Sequence, residues 1–231
     1  MNKIGFIGAY DKTDFIIYVA KILVEMGKSV LLVDTTLNQK AKYIVPVIKP
    51  SKSYITDFEG IDVAVGFNTF EDIKRYLGLP NIAGLTYDYA LVDLDTVDKV
   101  ESFGLQDFEK NYFVTSFDMY SIKKGMESIS GLQAPIQATK VLFSREILKE
   151  EDEYLNFLSL GSKIIWEEER IYLPFEVGDQ SVIYANQRVS KIKFKKLSVQ
   201  YKEGLVYISA QILGEDFNSV KKVFRKIEKG V

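Results

Sequence analysis

Residues 3–34 read KIGFIGAYDKTDFIIYVAKILVEMGKSVLLVD, and this stretch decides the fold. An apolar run over 3–7 precedes a short turn, and residues 12–26 then repeat apolar side chains at helical spacing. Gly27 stands where a helix commonly ends. The continuous apolar run over 29–33 is typical of a parallel strand that is buried on both faces. Strand, helix and strand in this order form a βαβ unit, so the sequence predicts a parallel sheet.

The same alternation continues along the chain. It predicts further strands over 61–67, 89–92, 112–115, 140–143 and 171–173. It also predicts helices over 69–77, 121–129 and 152–160, with Leu155, Phe157 and Leu158 pointing inward from the last of these. The pattern from about Lys193 onward is helical, with a break near Gly214. We therefore predict an α/β fold with a mostly parallel sheet, helices on both faces and a C-terminal helical segment.

The chain shows no internal repeat or long linker. Residues 1–231 are therefore expected to form one domain, in which 193–231 is a C-terminal helical extension. Polar residues stand where two of the helices begin, so Asn68 or Thr69 is expected to cap one helix and Asp118, with Ser121, another.

The composition excludes several classes of function. The 231 residues include no cysteine and no histidine, so disulfides, thiolate metal sites, histidine-based triads and most zinc sites are impossible. A net charge of -2 gives no reason to expect nucleic acid as a partner. No secretory signal or apolar run of membrane-spanning length is present, which predicts a cytoplasmic protein.

Three segments are expected to meet at the carboxyl edge of the sheet, where ligands of open α/β sheets bind. They are the loop over 8–13, Asp34 and Asp93. Lys12 and Thr13 supply the lysine and hydroxyl that a phosphate-binding loop uses for phosphates and magnesium. Gly8, Lys12, Thr13, Asp34 and Asp93 are therefore the predicted residual nucleotide site for weakly bound ATP or ADP, with Thr13 and Asp93 as magnesium ligands.

Simpler roles are open for the same residues. Lys12 and Thr13 also fit an ordinary solvated helix start, with Thr13 or Asp11 as its N-cap. An aspartate at the end of a strand, such as Asp34 or Asp93, can simply cap a turn.

These segments resemble, in the same order, the motifs of the ParA/MinD family of P-loop ATPases. Residues 8–13 fall at the family's deviant Walker A motif, 26–34 resemble its second strand and 87–93 its Walker B strand. Residues 114–121 and 173–187 are similar to a later strand with its helix start and to the segment that borders the base. The resemblance covers residues 2–190 and implies a P-loop NTPase fold that dimerises through its nucleotide face.

The departures from the family pattern lie in the phosphate loop. The signature lysine that would reach across a dimer falls at Ile7, and Asp11 replaces the glycine before Lys12. Ala9 and Tyr10 place side chains where the loop needs close backbone approach, and Thr36 replaces the second acidic residue of the family's D-x-D motif. The departures predict a degenerate P-loop without efficient hydrolysis.

The C-terminal segment has the pattern of a basic amphipathic helix. Its apolar positions include Phe217, Val220 and Phe224, and its basic positions include Lys221 and Lys226. Such a helix can lie on an anionic membrane surface or dock on a partner, as the terminal helix of MinD proteins implies. It can equally pack on its own domain and leave a solvated basic face.

Three functions follow from the sequence. The first is a non-catalytic or weakly nucleotide-binding positioning or scaffold factor, a homodimer that serves a membrane-associated machine such as a pilus or secretion system. TadZ/CpaE-like pilus-assembly localisation proteins resemble the chain most in this respect. The second is an active ATPase switch in cell division or DNA segregation. The third is a regulatory module that binds a membrane partner of a polysaccharide or secretion system, placed peripherally at the inner face of the membrane.

Overall fold

The computed structural model describes residues 1–48, 51–80, 82–144 and 149–229. Its strands form one eight-stranded sheet in the order β3-β4-β2-β5-β1-β6-β7-β8. All neighbouring strands are parallel except β3 and β4, which form an antiparallel pair at one edge. The strands are β1 (Asn2–Ile7), β2 (Val30–Asp34), β3 (Tyr54–Phe58), β4 (Ile61–Val65), β5 (Tyr89–Leu94), β6 (Lys110–Thr115), β7 (Ile136–Leu142) and β8 (Ile164–Tyr172). The predicted mostly parallel sheet is confirmed.

Helices connect the strands. They are α1 (Thr13–Glu25), α2 (Ala41–Ile44), α3 (Phe70–Tyr76), α4 (Val97–Phe103), α5 (Met119–Ser128), α6 (Lys149–Leu158), α7 (Val177–Arg188), α8 (Val199–Leu213) and α9 (Phe217–Lys229), with a short 3-10 helix over Leu105–Asp107. Thr69 caps α3 by accepting from the Asp72 backbone N–H at 3.1 Å. Asp118 caps α5 by accepting from the Ser121 backbone N–H at 2.9 Å, so both predicted caps are confirmed. No helix within the described ranges combines the length and apolarity needed to cross a bilayer.

The two faces of the sheet bury two separate apolar cores. Successive residues of a strand point to opposite faces, so Phe6 of β1 packs toward α1, α7, α8 and α9, while Ile7 packs toward α3, α4, α5 and α6. The predicted helices on both faces are therefore confirmed. The same alternation places Asp34 and Asp93, at the ends of β2 and β5, on the face covered by α1.

The structure corrects several sequence-based boundaries. The strand predicted over 61–67 ends at Val65, and the strand predicted over 171–173 begins at Ile164. Strand β3 and helices α4 and α7 had not been predicted. Phe157, predicted to point inward, has 65 % of its surface exposed, because Leu155 alone of the three faces the core fully from the short helix α6.

The C-terminal segment is helical from Val199, whereas residues 193–198 are not. Gly214 separates α8 from α9 and adopts a left-handed φ of +65°, as expected for a glycine that ends a helix. Helix α9 packs its apolar face on the domain, because Val220 and Phe224 are buried and the Phe224 ring lies 5.1 Å from that of Phe194.

Gly8 permits the turn that joins β1 to α1. Its φ is +131°, a conformation that L side chains rarely adopt, and a Cβ there would clash with the backbone oxygen of Val114 on β6. The loop over 8–13 therefore depends on a glycine at position 8.

We predict that Gly8→Ala lowers the free energy of unfolding by at least about 2 kcal/mol, from backbone strain plus the clash. Urea unfolding monitored by circular dichroism measures this. Gly178→Ala is the matched control, because Gly178 lies in α7 with no atom within 4 Å of an added Cβ, and it should change stability by less than about 1 kcal/mol. Equal effects of the two substitutions on the free energy of unfolding would contradict the conformational role of Gly8.

Candidate functional site

The site lies at the carboxyl edge of the central strands. Asp34 ends β2 and is the register partner of Asp93 on β5, so two carboxylates stand side by side on the face of the sheet that α1 covers. Both residues are completely buried. Buried charges need partners, and the partners of Asp93 come from the loop over 8–13.

Lys12 is the counter-charge of Asp93. Its Nζ lies 2.7 Å from Asp93 Oδ1 and donates to the Gly8 carbonyl oxygen at 2.6 Å. Lys12 is 2 % exposed, so this ammonium is enclosed between its own loop and β5. Lys12 and Asp93 thus lie together, as predicted for the carboxyl edge of the sheet. The alternative of an ordinary solvated helix start is wrong, because Lys12 is buried.

Thr13 completes the group around Asp93. Its Oγ1 donates to Asp93 Oδ2 at 2.9 Å. Lys12 is the N-cap residue of α1 and no side chain caps the helix, so the alternative of Thr13 or Asp11 as N-cap is also wrong. Both oxygens of Asp93 are thus engaged by adjacent residues at the start of α1.

Asp34 has a different role. Its Oδ1 accepts from the backbone N–H of Thr36 at 3.0 Å and from Thr36 Oγ1 at 2.7 Å. Its Oδ2 accepts from the backbone N–H of Ala41 at 2.8 Å. Asp34 therefore caps the turn after β2, as one of the two sequence interpretations had it, and Thr36 is held by Asp34. Burial, followed by the charge of Asp93, raises the pKa of Asp34 to about 6.

A second lysine, Lys40, pairs with carboxylates of the loop over 8–13 and of α1. Lys40 Nζ donates to Asp11 Oδ2 at 2.6 Å and to Asp14 Oδ2 at 2.5 Å. Burial disfavours the ammonium form of Lys40, but Asp14 and Asp11 outweigh burial and raise the pKa of this lysine. Asp11 is therefore neutralised by a cation from the segment after β2.

These residues surround an open cavity of about 480 Å³, here named the P-loop cavity. The charged residues that line it in the described part of the chain are three carboxylates (Asp11, Asp93 and Asp95) and two ammonium groups (Lys12 and Lys40), which leaves one excess negative charge. Asp95 accepts from the Leu37 backbone N–H at 3.1 Å, and burial raises its pKa.

The described residues fit a magnesium nucleotide only in part. Thr13 Oγ1 and Asp93 are paired as magnesium ligation requires, but magnesium normally needs phosphate oxygens in addition. The described residues hold no group of three or more carboxylates arranged for a metal ion. Lys12 and Lys40 are both paired with carboxylates, so an incoming triphosphate meets a negative surface. As arranged, the described lining of the cavity offers a hydroxyl–carboxylate pair for magnesium but holds both of its lysines in ion pairs.

Sequence reasoning missed Lys40, Asp14 and Asp95. Asp95 could have been found, because it follows the buried strand β5 two residues after Asp93. Lys40 carries no local signal, since its partners Asp11 and Asp14 lie more than 25 residues away in the chain.

The arrangement of strands is found in known proteins. It is similar to a chain of the MinC:MinD cell division protein complex of Aquifex aeolicus, with a TM-score of 0.57, 14% sequence identity and coverage of 94% of this chain and 97% of that one. A ParA family ATPase from Chlorobium tepidum TLS matches with a TM-score of 0.54, 15% identity and coverage of 98% and 97%. The fold is that of the ParA/MinD P-loop ATPases.

A third structure with the ParA/MinD fold is a plasmid partition protein of Borrelia burgdorferi B31 bound to AMPPNP. It matches with a TM-score of 0.52 and 12% identity over 98% of this chain and 99% of that one. No protein-family model matches the sequence, and neither does any curated protein. The likeness is therefore one of fold.

The predicted membrane or partner helix is α9. Val220 and Phe224 are buried in the core, and Phe217 packs against it. Lys221 pairs with Glu203 at 2.8 Å, and Lys226 is exposed in the last turn. The surface that α9 offers to solvent is thus its basic face, while its apolar face is occupied by the domain.

We predict a pH dependence from Asp34. Because its pKa of about 6 in the folded state exceeds the ordinary value, the folded protein holds the proton more tightly than the unfolded chain. The stability contributed by that proton is present below about pH 4 and lost as the pH rises to about 6, which amounts to about 3 kcal/mol.

Asp34→Asn carries no such proton. Relative to the wild type, this variant should therefore gain about 3 kcal/mol of stability between pH 4 and pH 7, measured by urea unfolding at both pH values. If the stabilities of the variant and the wild type changed equally with pH, the raised pKa of Asp34 would be contradicted.

Proposed function

We propose that this chain is a ParA/MinD-fold positioning or scaffold factor that binds nucleotide weakly or not at all and acts through protein partners rather than hydrolysis. The machine it serves is one of the pilus or secretion type. The observation that carries the proposal is the enclosed Lys12, whose ammonium is bound to Asp93 and to Gly8 of its own loop. A P-loop lysine acts on β- and γ-phosphates, and here it would have to abandon a buried carboxylate to do so.

Moving the Lys12 ammonium away from Asp93 costs free energy. Removing one member of a buried ion pair costs about 3–5 kcal/mol, because the other charge is left without its partner. A bound triphosphate would have to supply this energy and also tolerate Asp11 at the rim. These two costs support weak binding of a nucleoside triphosphate at most.

The loop is also anchored by an aromatic side chain. Tyr10 packs against the core, and its ring centre lies 4.6 Å from that of Phe143. The ring of Phe143 in turn contacts those of Phe15 and Phe175. This stack holds the loop by a side chain where an active P-loop uses glycine to bring its backbone close to phosphate.

We predict that the wild type binds ATP with magnesium only in the millimolar range, or not measurably, in isothermal titration calorimetry. Lys12→Ala should leave this result unchanged. Asp11→Gly should tighten binding by about tenfold or more, because it removes a negative charge from the rim and leaves Lys40 with one carboxylate, Asp14, in place of two.

Asp11→Asn is the matched control, since it removes the charge and keeps the side chain. Its affinity should approach that of Asp11→Gly if charge is the obstacle. Micromolar binding by the wild type that Lys12→Ala abolishes would overturn the proposal.

One observation favours the ATPase switch as a second candidate. The Thr13 hydroxyl and Asp93 are joined at 2.9 Å, the pair that would hold magnesium beside a γ-phosphate. ATP and ADP with magnesium are the cofactors of this alternative, and Thr13 and Asp93 are the residues that would hold the metal.

An exposed apolar rim around the P-loop cavity supports a homodimer. Leu37 and Tyr43 follow β2 with 74% and 77% of their surfaces exposed, and Tyr120 follows β6 with 70% exposed. Tyr43 lines the P-loop cavity, and Leu37 and Tyr120 follow strands whose carboxyl ends share the same edge of the sheet. Exposed apolar patches of this kind mark interaction sites, and we propose that a second copy covers this one.

We predict that the wild type sediments as a dimer without nucleotide, and that Leu37→Ser combined with Tyr43→Ser sediments as a monomer, in analytical ultracentrifugation. Phe157→Ser combined with Leu160→Ser is the matched control, because these residues are similarly exposed and lie in the last turn of α6 and just beyond it. Dimers that persist in the first variant and dissociate in the second would place the interface elsewhere.

A regulatory contact with a membrane-associated partner is the third candidate. The exposed basic residues of α9 support it, among them Lys222, Arg225 and Lys226. In this role the helix would act through charge, since its apolar face is buried.

A further inference from the structure

A groove lies between helix α7 and the irregular segment that follows it. It encloses about 500 Å³. One side is formed by residues of α7 and by Val189, and the other by three lysines, Lys193, Lys195 and Lys196. We name it the lysine groove. Among the described residues it shares no lining side chain with the P-loop cavity, so it is a surface separate from the candidate nucleotide site.

The segment that carries the lysines is anchored on its other side. Ile192 and Phe194 are buried in the core. Lys193 and Lys195 alternate with them and are exposed. Asn186 of α7 donates from its Nδ2 to the carbonyl oxygen of Lys193 at 2.8 Å, which fixes the segment to the helix. The core and α7 together therefore set where the lysines project.

The lysine groove carries positive charge that the chain does not compensate. Its described lining contains no aspartate or glutamate, and none of its three lysines forms an ion pair with a carboxylate of a described residue. Three carboxylates lie in a neighbouring depression that Lys193 and Lys195 also line. Each of them already has another lysine as its partner: Glu25 has Lys21, Glu59 has Lys191 and Glu228 has Lys202. The groove therefore attracts anions.

The floor of the lysine groove is apolar. Val182 is half-buried and packs against the core, whereas Ala185 and Val189 are exposed, Val189 with 58% of its surface. Their spacing of three and four residues places them on one face of α7 and its C-terminal end. A ligand that fits this surface carries negative charge for the lysines and apolar groups for the floor, because covering apolar surface adds to the attraction between charges.

An acidic protein segment meets both requirements. Its carboxylates can reach the lysines while an aliphatic side chain of the same segment covers the floor. Single-stranded nucleic acids stack their bases on aromatic side chains, and the described lining of the groove contains none. A bilayer presents its charges on a broad surface, which does not enter a groove between a helix and its neighbouring segment.

We infer that the lysine groove is the docking site for an acidic segment of a protein partner, with its carboxylates on Lys193, Lys195 and Lys196 and an aliphatic side chain against Val182 and Val189. The inference rests on the proposed function, in which the chain acts through protein partners, and it assigns a chemistry to one of them. It does not depend on whether the chain binds nucleotide.

Fluorescence anisotropy with labelled synthetic peptides tests the inference on the whole chain. The acidic peptide GDELEDLEG should bind saturably and more weakly as salt is raised. Lys193→Gln combined with Lys195→Gln should weaken binding about fivefold to tenfold. Lys222→Gln combined with Lys226→Gln is the matched control, because it removes the same charge from two exposed lysines of α9 and should leave the affinity unchanged.

A second pair of measurements tests the apolar floor. Val189→Ser should weaken binding of GDELEDLEG about threefold, because it removes apolar surface that the leucines cover. The same substitution should not change the affinity for GDESEDSEG, which keeps the carboxylates and lacks the leucines. Val189 is exposed, so circular dichroism should show an intact fold.

Three results would overturn the inference. The first is the absence of saturable binding of GDELEDLEG, and the second is an equal loss of affinity in the groove variant and the α9 variant. The third is tighter binding of a DNA oligonucleotide, or of vesicles containing phosphatidylserine, that the groove variant abolishes. Each of these leaves the proposed function standing, whereas micromolar binding of ATP would overturn that function and leave the lysine groove unaffected.

Discussion

The ion pair between Lys12 and Asp93 is the interaction on which the site depends. It joins the start of α1 to β5 at 2.7 Å, and a second contact, from Lys12 Nζ to the Gly8 carbonyl oxygen, ties the loop to itself. Neither charge reaches solvent, so each is tolerable only in the presence of the other. The same constraint fixes the neighbouring residues, because Asp34 beside Asp93 is held by hydrogen bonds to the turn after β2 and has a raised pKa.

Under the proposed function, this internal pairing accounts for weak nucleotide binding by a chain that keeps the architecture of a P-loop fold. The strand order, the turn at Gly8 and the Thr13–Asp93 hydrogen bond are all present. What differs is that carboxylates of the chain stand against its cations, with Asp93 against Lys12 and with Asp11 and Asp14 against Lys40. Both lysines of the site are thereby paired with carboxylates of the chain itself, and the proposed partner surfaces include the exposed apolar residues Leu37 and Tyr43 and the basic face of α9.

Most of the fold could be predicted from local patterns. The parallel strands were visible as apolar runs, and Gly27, Thr69 and Asp118 marked helix ends by their own chemistry. The edge strand β3 and helix α7 were missed, because β3 is half-exposed and α7 has no clear apolar stripe. In the site, motif order placed Lys12, Thr13, Asp34 and Asp93 correctly at one edge. The pairing of Lys12 with Asp93 and of Lys40 with Asp11 could not be predicted, since it depends on distances between segments far apart in sequence.

A crystal structure of the chain grown with millimolar ATP and magnesium would test the central claim most directly. We expect the Lys12 ammonium to remain within hydrogen-bond distance of Asp93 and of the Gly8 carbonyl oxygen, with no triphosphate in the loop. A structure in which Lys12 has moved onto the β- and γ-phosphates, with magnesium on Thr13, would contradict the account and identify an ATPase switch.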